Sequence, residues 1–413
     1  TAGGRTVRVV LDEEVRIGAD GAVRSELRPL DRPFRSYADY RSFLAASFAA
    51  VVANASDGRR AHPLTPLPSI SAGYDSAAIA VLASEVGIDR ALTMLRPEGD
   101  PPVLVDHPGV LAEVLGIELV GVERGGWRDD PSMPEALVAA SGVTFMDVVM
   151  LTYRDHLPGA LLVVGHSGDN VWSAGNFRAY QDVVQGAGRI SGRGLAEHRL
   201  EVGYVLFAPA TAGHTAHPSI FRLSGAAEMS PWDVGGSYNR PIARRIVEEA
   251  GVPRGSFATR KFAGSGRVGS SRTSYRGHDR AERAAELAEV MTPAGVASFL
   301  DHVDALAAEG RGLADARVRR RIAVGRVGHR LFEKLDALNH HVGRRLHRIG
   351  IKALVPRRVM IRAARHVIVH PDHTYLLAHW GTSVCAARHL ADGPLLGGST
   401  DPVNPAPEAL LPS

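Results

Sequence analysis

Apolar positions along this chain fall into two kinds of segment that alternate. Over residues 36–54, Tyr40, Phe43, Leu44, Phe48, Val51 and Val52 recur mostly three or four apart, the spacing of one helix face. Helical patterns also cover 76–86, 108–115 and 144–156. Between them lie short apolar runs that read as strands: Ala91-Leu92-Thr93-Met94-Leu95, Ile117-Glu118-Leu119-Val120-Gly121-Val122 and Ala160-Leu161-Leu162-Val163-Val164. Strands alternating with helices predict an α/β fold built on a doubly wound parallel sheet, covered on both faces. Its ligand belongs at the carboxyl ends of the strands. Residues 6–30 partly alternate around Gly18-Ala19-Asp20-Gly21 and predict a hairpin. Beyond about residue 240 the pattern is mostly helical, and 393–413 is rich in Gly, Pro and Ser. The expected organisation is a hairpin segment over 1–35, a main domain over 36–275, a helical basic region over 276–392 and a tail over 393–413.

The first chemistry lies between a short approach, Leu67-Pro68, and the helix from residue 76. There Ser69-Ile70-Ser71-Ala72-Gly73-Tyr74-Asp75-Ser76 forms a turn of small residues. A strand, a tight turn and a helix point backbone N–H groups and a helix N-terminus at one spot, which suits a polyphosphate. Ser71 and Ser76 add hydroxyls, and Asp75 adds a carboxylate able to hold Mg²⁺. An ordinary turn before a core helix has much the same composition. A Cβ at Ala72 would do harm if the backbone there needs a positive φ. The chain has no match to the Gly-x4-Gly-Lys-Ser/Thr phosphate loop.

Two later segments bear on the same question. The strand at 160–164 runs into Gly165-His166-Ser167-Gly168-Asp169-Asn170. Downstream, Pro231-Trp232-Asp233 and the helical pattern 241–250 lead to Arg260-Lys261-Phe262-Ala263-Gly264-Ser265-Gly266. In this order and rough spacing, the three segments resemble the synthetase domain of the asparagine synthetase family, in the ATP pyrophosphatase superfamily. The likeness covers roughly residues 36–275. It implies a fold like that of the adenine nucleotide alpha hydrolases, with ATP and Mg²⁺ as cofactors. It further implies splitting of ATP between the α and β phosphates, adenylation of a carboxylate, and amide formation with an amine or ammonia. Ser71, Gly73, Asp75, Ser76 and Gly165 match positions that hold pyrophosphate. Met94 matches a position near adenine, and Asp75 with Asp169 match the metal-binding carboxylates. Lys261 matches the lysine that stabilises departing charge. Ala72, His166 and Asn170 depart from the family pattern. His166 stands where the family has Glu, and imidazole suits removal of a proton from the attacking amine; a plain loop role is the alternative.

Other classes remain in view. Gly165-His166-Ser167-Gly168 nearly matches a serine-hydrolase elbow, with Ser167 as nucleophile, but Asp169 stands where that turn needs Gly. A tRNA-modifying relative and a degenerate nucleotide-binding scaffold are further alternatives. Between Arg317 and Arg365 there are fifteen Lys or Arg against two acids, Glu333 and Asp336, with apolar residues interleaved at roughly helical spacing. That is a solvated helix face or a dock for an acidic partner. The one cysteine, Cys385, excludes a disulfide framework and a cysteine-chelated cluster within these residues, and fits a reducing, cytoplasmic setting. No apolar run reaches the length of a membrane span. The glutaminase domain of the asparagine synthetase family is not among these residues; either it lies on an upstream segment or a partner, or ammonia or an amine arrives another way, as in the β-lactam synthetases of the family. His370, His373 and His379 resemble a metal spacing only loosely and are read as ordinary side chains, as are His340 and His341.

Overall fold

The computed structural model describes residues 13–27, 32–95, 108–140, 145–175, 195–236, 238–259, 280–288, 290–309, 334 and 371–391. An antiparallel hairpin comes first, β1 (Glu13–Ile17) against β2 (Val23–Leu27). The strand pattern at Val7–Val10, the Lys261 motif, most of the basic run 317–365 and the tail lie outside the described residues.

Helix α1 (Tyr37–Ala55) starts where Ser36 Oγ accepts a hydrogen bond from the Asp39 amide, at 3.2 Å. Its buried residues Tyr37, Tyr40, Leu44 and Phe48 repeat every three or four positions. Strand β3 (Thr65–Pro68) follows and leads into α2 (Tyr74–Glu85), where every residue from Ala77 to Ala83 is buried. Next come β4 (Arg90–Leu95), α3 (Gly109–Leu115), β5 (Glu118–Glu123), α4 (Glu135–Ala140) and β6 (Ala160–Val163). Helices α5 (Gly168–Val171) and α6 (Ala196–Val202) precede β7 (Val205–Phe207). The described elements after β7 are all helical: α7 (His217–Ser224), α8 (Pro241–Glu249), α9 (Arg280–Ala288), α10 (Pro293–Ala308) and α11 (Pro371–Ala391), with short 3₁₀ turns.

All pairings among β3–β7 are parallel. Strand β6 lies between β3 and β7, and β4 pairs with β5. One parallel bridge, Ser69 to Leu92, with Ile70 N donating to Leu92 O at 2.9 Å, joins the two groups. The lateral order is therefore β5-β4-β3-β6-β7. Along β6 the side chains alternate between two cores. Leu161 and Val163 enter one with α1, α2, α3 and α8. Ala160 and Leu162 enter the other with α4, α10 and α11. Cover on both faces is what a parallel arrangement requires, because its strands bury both sides.

One local expectation changes, and one strand carries no pattern in the sequence. The helix pattern at 144–156 forms a 3₁₀ segment, Phe145–His156. Val148, Val149, Met150 and Leu151 are all buried in succession, so packing on every side, and not a one-sided stripe, sets its pitch. Strand β7 has three residues, too few to show a period. In the helical part, α11 lies so close to α4 that a Cβ at Gly381 would come within 2.5 Å of Ala136 O. His379 of α11 meets His302 of α10, with their ring nitrogens 2.8 Å apart. Cys385 is buried and free. Among the described residues, no helix is long and apolar enough to cross a membrane.

Candidate functional site

The loop after β3 is built by its own serines. Ser71 Oγ and Ser76 Oγ are 2.8 Å apart, and Gly73 N donates to Ser71 Oγ at 3.2 Å. Ser76 Oγ also donates to the carbonyls of Ser71 (3.0 Å) and Gly73 (3.2 Å). This turns the chain sharply into α2, whose N-cap is Gly73. Ala72 is not among the positive-φ residues, so its Cβ does not strain the turn. The loop's far end is fixed by Ser69 Oγ, which donates to the buried Tyr153 hydroxyl at 3.0 Å.

The loop after β6 packs directly against it. A Cβ on Gly165 would lie 2.8 Å from Ser76 N and 2.9 Å from the Asp75 carbonyl carbon. A Cβ on Gly168 would lie 2.7 Å from Asp75 Cβ and collide with the Asp75 carboxylate. Glycine at both positions is what allows the contact. Between them Ser167 has φ +67° and ψ −2°, a turn that starts α5. Ser167 Oγ and His166 Nδ1 are buried and make no hydrogen bond among the described residues. Asp147, on the 3₁₀ segment, neighbours His166; burial pushes its carboxyl above the usual range, and the imidazole opposes that shift.

A third segment arrives from the other side. Ala258 N donates to Ala72 O at 2.6 Å, with Ala258 itself at φ +52°. Phe257 meets the Tyr74 ring edge-on at 6.2 Å. The described chain stops at Thr259, two residues short of Lys261. Helix α8 and its N-cap add two arginines that the sequence pattern did not single out. Arg240, the N-cap, donates from Nη1 to Asp75 Oδ2, and its guanidinium lies over the rings of Tyr238 (5.2 Å) and Tyr74 (5.8 Å). Arg244 donates to the Tyr74 hydroxyl from Nε (3.2 Å) and Nη2 (2.6 Å), and from Nη1 to Glu248 at 3.1 Å. The available signal was the i, i+4 pair of arginines at the start of a helix that begins with Pro241, which alone reads as a surface feature.

The remaining expected residues are spread more widely. Met94 is half-buried at the carboxyl end of β4, opposite Val122 of β5. Asp169 is exposed and accepts from Asn170 Nδ2 at 3.3 Å. Among the described residues, no three His, Cys, Asp or Glu gather as a metal cluster. Mg²⁺ at a nucleotide site draws most of its ligands from phosphate and water, so one or two carboxylates suffice. Asp75 Oδ2 accepts from Arg240, and that bond would have to yield for a metal to bind there. No family model matches the chain, and no curated protein matches it in sequence.

Proposed function

We propose that this chain binds ATP at the β3–α2 loop and uses it to adenylate a carboxylate, which an amine or ammonia then converts to an amide. One observation carries the reading: three segments far apart in sequence meet at a single serine-rich helix start, Gly165 and Gly168 from one side and Ala258 from the other. On this reading the five parallel strands are the centre of a doubly wound sheet. The strand order reverses beside β3, the place where such sheets bind ligands.

The roles follow from chemistry. Ser71, Gly73, Ser76 and Gly165 surround the pyrophosphate, helped by the α2 N-terminus. Asp75, with Asp169, would hold Mg²⁺, which would offset phosphate charge. Met94, near the carboxyl end of β4, would stand by the adenine. Lys261 stabilises charge that moves onto the leaving pyrophosphate. His166 takes the proton from the attacking amine. The hydrolase alternative lacks a base: Ser167 Oγ has no hydrogen-bonded partner among the described residues.

The test is calorimetric titration of ATP with Mg²⁺ into wild type and Asp75→Asn, followed by a pyrophosphate-release screen over carboxylates and amines. Binding that weakens in Asp75→Asn supports the reading. Well-folded protein that binds no ATP refutes it and favours a scaffold.

A further inference from the structure

We infer that Arg240 is a phosphate-binding cation held in reserve by Asp75, and that the two separate when a divalent cation and a polyphosphate enter the loop. The inference rests on the nucleotide reading of the β3–α2 loop.

Arg240 is only 6% exposed, yet its guanidinium makes one hydrogen bond among the described residues, to Asp75. A guanidinium carries five N–H donors, so Arg240 keeps donors for a further acceptor beside Asp75. Arg244, one helical turn on and equally buried, shows the contrast: three of its guanidinium nitrogens are hydrogen-bonded, to Tyr74 and Glu248. The two arginines share a helix and an aromatic neighbour, so packing alone does not account for the difference. Arg244 is committed to protein partners, whereas Arg240 keeps donors for a ligand.

Its place explains what would complete it. Arg240 reaches the first turn of α2, where backbone N–H groups already favour an anion. Tyr238, which carries the guanidinium on its ring, has its hydroxyl 3.9 Å from where a Gly73 Cβ would stand. The cation therefore sits beside the loop's mouth. The Asp75–Arg240 pair is neutral as it stands. A metal ion arriving alone competes with Arg240 for the carboxylate, and a polyphosphate arriving alone competes with Asp75 for the guanidinium. Arriving together, they give each side chain a new partner of opposite charge. The planar fork of Arg suits phosphate oxygens in a way a single ammonium does not. The device makes metal and polyphosphate binding mutually dependent.

The experiment is calorimetry with inorganic pyrophosphate, with Mn²⁺ alone, and with both, on wild type, Arg240→Met and Arg240→Lys. Wild type is expected to bind pyrophosphate at least about tenfold more tightly with Mn²⁺ than without. Arg240→Met is expected to bind Mn²⁺ alone more tightly than wild type, and Mn²⁺-pyrophosphate at least about tenfold more weakly. That opposite movement separates exchange from a structural role, which would weaken both ligands together. Pyrophosphate affinity unchanged in Arg240→Met, or Mn²⁺ affinity lost with it, overturns the inference and leaves the nucleotide site standing. Wild type that binds no pyrophosphate in any condition removes both. If Arg240→Met does not fold, Arg240→Lys decides: weaker pyrophosphate with Mn²⁺ affinity kept supports exchange, and unchanged pyrophosphate overturns it.

Discussion

Replacing Gly165 with Ala tests the meeting of the two loops most directly. The new Cβ would stand 2.8 Å from Ser76 N and 2.9 Å from the Asp75 carbonyl carbon. Ordinary carbon contacts lie at about 3.5–4.0 Å, so the overlap is roughly 0.5–1 Å. Both struck atoms are helix backbone, which cannot rotate away as a side-chain tip can. The β6–α5 loop has to lift from α2, or β6 has to shift against β3, which it pairs along its whole length. Overpacking of this kind costs about 1–3 kcal/mol. For a domain of this size that is a fall in melting temperature of several degrees, at about 2–4 °C per kcal/mol. Gly58→Ala is the control, because nothing lies within 4 Å of its added Cβ and its φ is not positive. It is expected to be neutral or slightly stabilising. Calorimetric melting, with ATP affinity measured beside it, reads both effects. If Gly165→Ala melts with Gly58→Ala and keeps its ATP affinity, the close contact between the loops is wrong, and the convergence that supports the nucleotide site goes with it.

Three further outcomes follow from particular groups. Ala72→Gly is expected to leave ATP affinity unchanged and to lower stability by roughly 0.5–1 kcal/mol, because Ala72 needs no positive φ; a clear gain in affinity would show that the Cβ does obstruct the loop. His198 is fully buried against the Tyr204 hydroxyl at 2.9 Å, and burial pushes its pKa down to about 4, with Arg154 adding to the shift. The unfolded chain takes up that proton first, so stability falls as pH drops from about 6.5 to 4, by roughly 3 kcal/mol; melting curves of wild type and His198→Phe over this range are expected to converge at low pH, and parallel curves would refute it. Glu135 is buried between α4 and α10, accepts from Thr292 N (3.1 Å) and Oγ1 (2.8 Å), and has its pKa raised by burial. Its contribution is complete below the unfolded carboxyl pKa and is lost as pH rises through the folded value, so the stability difference between wild type and Glu135→Gln is expected to drift against wild type as pH rises; a flat difference would refute the shift.

Local pattern was a good guide wherever the physics is local. Helix α1 is legible because Tyr40, Leu44 and Phe48 must share one face, and that spacing is written in the chain. The strands β4, β5 and β6 are legible as apolar runs, and the hairpin β1–β2 as alternation around a Gly-containing turn. Ser71, Gly73 and Ser76 are legible as anion-binding candidates from the sequence alone, and Asp75 as a metal-binding one, because a turn of small residues between a strand and a helix offers N–H groups and hydroxyls whatever surrounds it.

Other features depend on contacts between residues remote in sequence, which no short window contains. The pairing of Arg240 with Asp75 spans 165 positions, and the bond from Ala258 to Ala72 nearly two hundred. The need for glycine at 165 and 168 appears only when α2 is laid beside them. The 3₁₀ pitch of Phe145–His156 arises from burial on all sides, and β7 exists because β6 offers an edge to pair with. Sequence thus determined which segments turn, extend or coil, and which side chains could serve an anion, because those are properties of neighbours along the chain. Tertiary structure alone decided which carboxylate meets which guanidinium and how closely two loops approach, because burial and charge pairing are set by whatever the fold brings alongside.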